Sequence, residues 1–387
     1  MSRSLRDVRS MVVAIASAGI LGAGHAGCGG RVTLGVQDDS EAGTTGAGGG
    51  DATAGTDATA GTDATAATDA TASTGGQGTS VDAGTSSRCA FAPDLGPTSP
   101  GSTTSTAIVW ARLYQFLDNS AVVPPVGLPV QTTAAWVADQ AKAILDAHAA
   151  AGTEALGLVR FLSAWLNVPP PDAGPSVADA WSVKLLDPSA TLTTLLAGPT
   201  GDPHRIGILT DPQVLTARPR ISPRGEWMEA NLFCTPVPPP PPDIPSLPAG
   251  PAPPGTTGRQ ELESTLTNPA CAACHNLMDP PGFSLEHFDA MGNYRDLDNG
   301  SPVDSSGTLH GPPMLTFLSI VDLAPQLAVS CPVAQCFTQL VMSDAAKATS
   351  LTFTTEEQNH VANAFADSNF SIRALVQAIV ETPSFLQ

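Results

Sequence analysis

Cys271-Ala272-Ala273-Cys274-His275 is the stretch on which the reading of this chain turns. Two cysteines three residues apart, followed at once by histidine, have the spacing at which thiols add to the vinyl groups of a porphyrin while the adjacent imidazole takes the iron. On a helical turn residues three apart share one face, and the next residue can swing its ring beneath a macrocycle that the thiols hold. With 7 Cys and 7 His in 387 residues, chance gives this arrangement in about 0.2% of such chains, so coincidence is a poor explanation. A redox disulfide would want a strand-to-helix context, and a structural zinc site a second ligand pair; the sequence offers neither. The motif predicts covalent haem c on Cys271 and Cys274, with His275 as the proximal ligand of the haem iron.

Covalent haem attachment of this kind needs an exported chain, and the N-terminus carries that signal. Arg3, Arg6 and Arg9 precede an apolar run from Met11 to Leu21, of signal-peptide length and too short to span a membrane. It ends in His25-Ala26-Gly27-Cys28, small residues before a cysteine, which predicts a signal peptide over 1–27 and leaves lipidation of Cys28 beside simple cleavage as alternatives. Residues 28–88 have no hydrophobic period. Four tandem hexads begin at Asp51, Asp57, Asp63 and Asp69 (DATAGT, DATAGT, DATAAT, DATAST), too poor in apolar surface to offset the entropy of ordering. The expectation is a disordered, low-complexity spacer that, with a lipid on Cys28, would tether the chain to a membrane. A net charge of −19 argues against nucleic acid as a partner.

Beyond the spacer roughly 300 residues remain, enough for two small domains. Apolar residues at helical intervals predict three helices between Thr106 and Val168, the last stopped by Pro169, Pro170 and Pro171. Trp110, Trp136 and Trp165 read as core. Arg218, Arg220 and Arg224 are the densest positive charge here, either pairing with local carboxylates or reaching haem propionates or an acidic partner. They lead into a helix over 226–233. Pro236 and Pro238 to Pro242 then impose an extended stretch. The resulting division is a helical domain over 89–235, a Pro-rich linker over 236–258, and the haem module with C-terminal helices over 259–387. Within that module the pattern predicts a short helix at 259–266, a turn at 278–283, a helix at 285–294, and a little β near 295–309. Further helices are expected at 314–329 with a break near Pro325, at 332–342, at 356–365 and at 372–380. The fold class is mainly α: a cytochrome c-like helical haem module joined to a small helical domain behind a disordered tether.

Four stretches carry a resemblance: RIGILTDPQVLT (205–216), SPRGEWMEANLFCTPVPPPPPDIP (222–245), CAACHNLMDPPGFSLEHFDAMGNYR (271–295) and SIRALVQAIVETPSFLQ (371–387). In this order the chain resembles the bacterial cytochrome c-like surface proteins, abundant in planctomycetes and myxobacteria, that carry the domains of unknown function numbered 1592, 1588 and 1585. Residues 106–168 look like a shortened first domain. The resemblance implies a haem on the same Cys-x-x-Cys-His and no assigned activity. Where the family tends to have Tyr-Ala-Leu-Gly-Arg, this chain has Leu340-Val341-Met342-Ser343-Asp344.

The sixth position on the iron decides the chemistry: Met or His there favours electron transfer, an open position ligand binding or peroxide chemistry. Met278 follows His275 too closely to cross to the far side of the ring. Met314 is the first candidate for the distal ligand, then His310, Met291 and His287. The remaining cysteines, Cys89, Cys234, Cys331 and Cys336, suggest two disulfides among three possible connectivities. Cys331 and Cys336 flank Pro332 and could close a local loop, leaving Cys89 with Cys234. Three functions follow. The first is an exported, surface-tethered monohaem electron carrier with an unknown redox partner protein, placed in the periplasm or at the cell surface. The second is a haem-containing extracellular enzyme or oxidoreductase subunit of peroxidase type, and the third a haem-free scaffold. No independent catalytic constellation appears in the sequence.

Overall fold

The computed structural model describes residues 89–91, 104–239, 252–309, 311 and 314–387. The expected signal peptide, the spacer, Cys28, His310 and most of the Pro-rich stretch lie outside them. The described chain is mainly helical. Helices α1 (Thr106–Asp118), α2 (Ala134–Ala151) and α3 (Leu156–Leu166) come first, close to the positions that their apolar spacing predicts. Each ends on a left-handed residue, Asn119, Gly152 and Asn167 respectively, the conformation that lets a chain leave a helix without breaking its last hydrogen bonds.

Two short helices follow that hydrophobic spacing does not reveal, α4 (Val177–Leu185) and α5 (Leu192–Ala197). Each is started by reciprocal capping, Ser176 with Asp179 and Thr191 with Thr194. Then come α6 (Pro212–Ala217) and α7 (Ile221–Leu232), and, past the Pro-rich stretch, α8 (Gly258–Thr265) and α9 (Pro269–Phe283). Two antiparallel hairpins supply the β structure: β1 (Leu297–Asp298) with β2 (Ser301–Pro302), and β3 (Gly307–Leu309) with β4 (Leu315–Phe317). Helices α10 (Ile320–Ala328), α11 (Cys331–Thr349), α12 (Thr355–Asp367), α13 (Ile372–Val380) and α14 (Pro383–Leu386) complete the chain.

Several expectations need correction. The residues at 278–283 are no turn but the last turns of α9, which runs through Pro280 and Pro281. The helix expected at 285–294 is absent: turns take its place, in which the carbonyls of Leu285 and Asp289 accept from the N–H groups of Phe288 and Gly292 three residues on, and those of Leu285, Phe288 and Asp289 also accept from the Arg224 guanidinium. The stretch expected to be one helix at 314–329 divides into β4 and α10, and Pro325 sits inside α10 rather than ending it.

The separation expected at the Pro-rich stretch exists in sequence only. Helix α13 packs on α2, α10 on α5, and α11 on α1, α3 and α7, so residues on both sides share one core. Its centre is aromatic. Phe161 and Trp165 from α3 meet Phe337 of α11 edge to face at 5.5 and 5.7 Å, and Trp227 of α7 lies 5.3 Å from Trp165.

The disulfides join Cys89 to Cys331 and Cys234 to Cys336, not Cys331 to Cys336 and Cys89 to Cys234. Cys331 and Cys336 both lie on α11 five residues apart, and the rise of the helix separates them beyond bridging distance. Each instead meets a distant cysteine at a Cα separation of 5.4 Å. Peptide mapping without reduction should therefore recover the 89–331 and 234–336 cross-linked peptides, and a 331–336 link would contradict this arrangement. Two such bonds belong to an oxidising, extracytoplasmic compartment.

Candidate functional site

The site is built on α9, and α9 is built on α7. No pair of elements in the described chain packs more extensively, and the reason lies in two glycines. A Cβ on Gly225 of α7 would lie 1.5 Å from the carbonyl oxygen of Met278, and one on Gly282 of α9 would lie 2.3 Å from that of Ile221. The two backbones thus touch directly. That contact helps explain how a helix tolerates Pro280 and Pro281, whose missing N–H groups leave the carbonyls of Asn276 and Leu277 without their usual donors.

Helix α9 starts at Asn268, whose side chain accepts from the N–H of Ala270, with Pro269 at its first position. One turn on, Cys271 and Cys274 stand partly exposed and are the free thiols among the described cysteines, the other four being disulfide-bonded. His275 is buried. Its Nδ1 donates to Oδ2 of Asp279 at 2.9 Å, one helical turn further on, and Ser222 Oγ of α7 donates to Oδ1 of the same carboxylate at 2.7 Å. Asp279 is 1% exposed. With Nδ1 committed, Nε2 is the nitrogen left for a metal, the arrangement by which outer groups fix the tautomer of a ligating histidine.

Neither Asp279 nor Ser222 is marked out by sequence reasoning. The i,i+4 relation of His275 to Asp279 could have signalled the first, had the prolines not argued for a turn. Ser222 comes from another helix and leaves no sequence signal.

Below the thiol-bearing turn the scaffold is held by buried charge. Arg224, 3% exposed, donates to four backbone carbonyls, those of Arg218, Leu285, Phe288 and Asp289. Burial pulls its guanidinium down to about 10. Arg218 reaches the carbonyl of Leu166 and lies over the Trp227 ring. Neither pairs with a local carboxylate, and both serve the fold by clamping backbone; Arg220 stays exposed at the start of α7. Glu286, 3% exposed, sits 3.3 Å from Arg295, and desolvation raises its carboxyl above the ordinary range. Arg259 of α8 covers the Phe283 ring at 4.3 Å and donates to the carbonyl of Ser306, joining α8, α9 and the hairpin region.

The distal candidates are dispersed. Met314 stands 71% exposed beside β4, in the hairpin whose other strand, β3, packs on α9. Met291 is 70% exposed, Met278 is buried, and His287 stacks on Tyr294 with its Nδ1 hydrogen-bonded to the carbonyl of Arg295. The donor set of Cys271, Cys274 and His275 fits a covalently attached haem: two adjacent free thiols and an imidazole whose far nitrogen is available. Two small cavities, of about 20 and 10 Å³, are lined by Phe116 and Phe337 and by Arg224 respectively, and neither is lined by the thiols.

No curated protein and no solved structure matches this chain. A family model does match part of it, PSCyt3, a protein of unknown function (DUF1588), over residues 205–298, which span α6 to β1 and hold the whole of the α7–α9 pair with its two thiols, His275 and Asp279.

Proposed function

We propose that this chain is an exported, surface-tethered cytochrome c-like protein that carries one haem on Cys271 and Cys274, bound through His275, and exchanges single electrons with a partner protein. The observation that carries the reading is the division of the thiols. Four described cysteines are consumed in long-range disulfides while the two in the Cys-x-x-Cys-His stretch stay free on one face of α9. A bound haem supplies a one-electron ferric/ferrous couple. The chain's own part is to anchor the ring through two thiols, present Nε2 of His275, and hold that imidazole through Asp279 and Ser222. Met314 is the thioether proposed for the sixth position. The resemblance of the flanking regions to domains 1592 and 1585, the signal peptide and a lipid on Cys28 belong to the same proposal, as does the exclusion of nucleic acid by a net charge of −19.

Full-length protein produced with cytochrome c maturation machinery should give a positive pyridine haemochrome test, and Cys271→Ala with Cys274→Ala should lose all covalent haem. A colourless wild-type product would sink the proposal. The exposure of Met314 and Met291 favours one second reading, a five-coordinate iron with peroxidase-like chemistry. A spectrum that responds to carbon monoxide or peroxide would support it, and a low-spin, six-coordinate spectrum in both oxidation states would remove it.

A further inference from the structure

Asp279 is a carboxylate with almost no contact with water. Among the described residues its hydrogen-bond partners are His275 and Ser222, and neither is a lysine or an arginine. A buried carboxylate is costly unless a positive charge or strong donors compensate it. The donors here are one hydroxyl and one imidazole N–H, so any cation accepted at Nε2 of His275 becomes the charge that balances Asp279. The carboxylate also draws the Nδ1 proton toward itself, which raises the electron density that the imidazole offers through Nε2.

We infer that Asp279 is a positioning residue that sets the reduction potential of the site: it fixes His275 as the Nδ1–H tautomer and, as an uncompensated buried anion, favours the ferric over the ferrous state. The inference rests on the haem reading above. Ser222 moderates the effect, because its hydroxyl withdraws part of the negative charge from Asp279. The placement is enforced by the fold. Ser222 lies on α7 and Asp279 on α9, and the direct backbone contact at Gly225 and Gly282 keeps the two in register.

Two variants of the full-length, haem-matured protein test this with opposite signs. Asp279→Asn keeps the shape and removes the charge, so the ferric/ferrous balance should move toward ferrous by about tenfold, a rise of about 59 mV for a one-electron couple. Ser222→Ala leaves the carboxylate less compensated, and its potential should fall, by less. Nitrogen-15 spectra of the haem-free wild type should show the Nδ1–H tautomer of His275, and Asp279→Asn should weaken that preference. Haem-loaded Asp279→Asn with an unchanged potential would overturn this inference alone, and so would an Nε2–H tautomer in the wild type. Should Asp279→Asn fail to fold, the sign of the Ser222→Ala shift decides, a rise or no change counting against the inference. Wild type without covalent haem would overturn the haem reading together with it.

Discussion

Gly225→Ala should destabilise the protein by about 3 kcal/mol or more, read as a lower midpoint in urea unfolding followed by circular dichroism. In the interior of an ordinary helix the same change is stabilising by roughly 0.5–1 kcal/mol, because alanine loses less backbone freedom on folding. Here the sign reverses, since the new methyl would sit 1.5 Å from the Met278 carbonyl oxygen and 2.7 Å from its carbon. Both are backbone atoms, so no side chain can swing away. Helix α7 must separate from α9, loosening Ser222 from Asp279 and uncovering Met278 and Phe283. Gly258→Ala is the control: its nearest foreign atom is Asp298 Oδ2 at 3.5 Å, an ordinary contact, and its stability should change little. Equal effects at the two positions would refute direct backbone contact as the basis of the α7–α9 pair.

Replacing Cys234 and Cys336 together by serine should cost about 2–5 kcal/mol, measured by the same unfolding experiment without reductant. The cysteines are 102 residues apart in sequence, and for a loop near 100 residues the entropy model gives about 4.7 kcal/mol. The bond joins the chain just after α7 to the second turn of α11, the helix that also packs on α1 and α3. Removing it should therefore loosen the α7–α9 pair along with the core. A double variant as stable as the wild type would mean that packing alone holds α7 in place.

Much of the helical content was legible because apolar spacing is a local property. The apolar spacing over 372–380 predicts α13 at its observed limits, and the first three helices follow from the same periodicity. Helices α4 and α5 were missed because they are short, and their legible signals are caps rather than stripes. The errors around the site share one cause, that tertiary contacts override local preference. Pro280 and Pro281 argue for a turn, yet the contact with α7 keeps them helical; 285–294 has a helical pattern, yet it forms turns whose carbonyls also accept from Arg224, 61 residues before Leu285 in one of its bonds. The Cys-x-x-Cys-His stretch stands out in the sequence because its three residues fall within five positions. Asp279 falls in a stretch that its prolines mark as a turn and so carries no sign of a role, and Ser222 was out of reach because only folding brings it there. Disulfide pairing was equally out of reach, since it depends on which Cα atoms come within about 6 Å and not on spacing along the chain.

The bond between Cys89 and Cys331 also fixes how force would travel. Everything N-terminal to Cys89 is joined to the first residue of α11 by a covalent link, so a pull on the leading 88 residues enters the fold at α11 and not at α1. The stretch from residue 90 to 330 lies inside a closed loop, and tension applied from the N-terminus bypasses it while the sulfurs stay joined. Helix α9, with its thiols and His275, falls within that shielded loop. Under oxidising conditions tension would therefore be borne by α11 and the chain after it; cleaving the Cys89–Cys331 bond would redirect it through α1 and α7 as far as Cys234, where the bond to Cys336 returns it to α11 and leaves α9 still shielded.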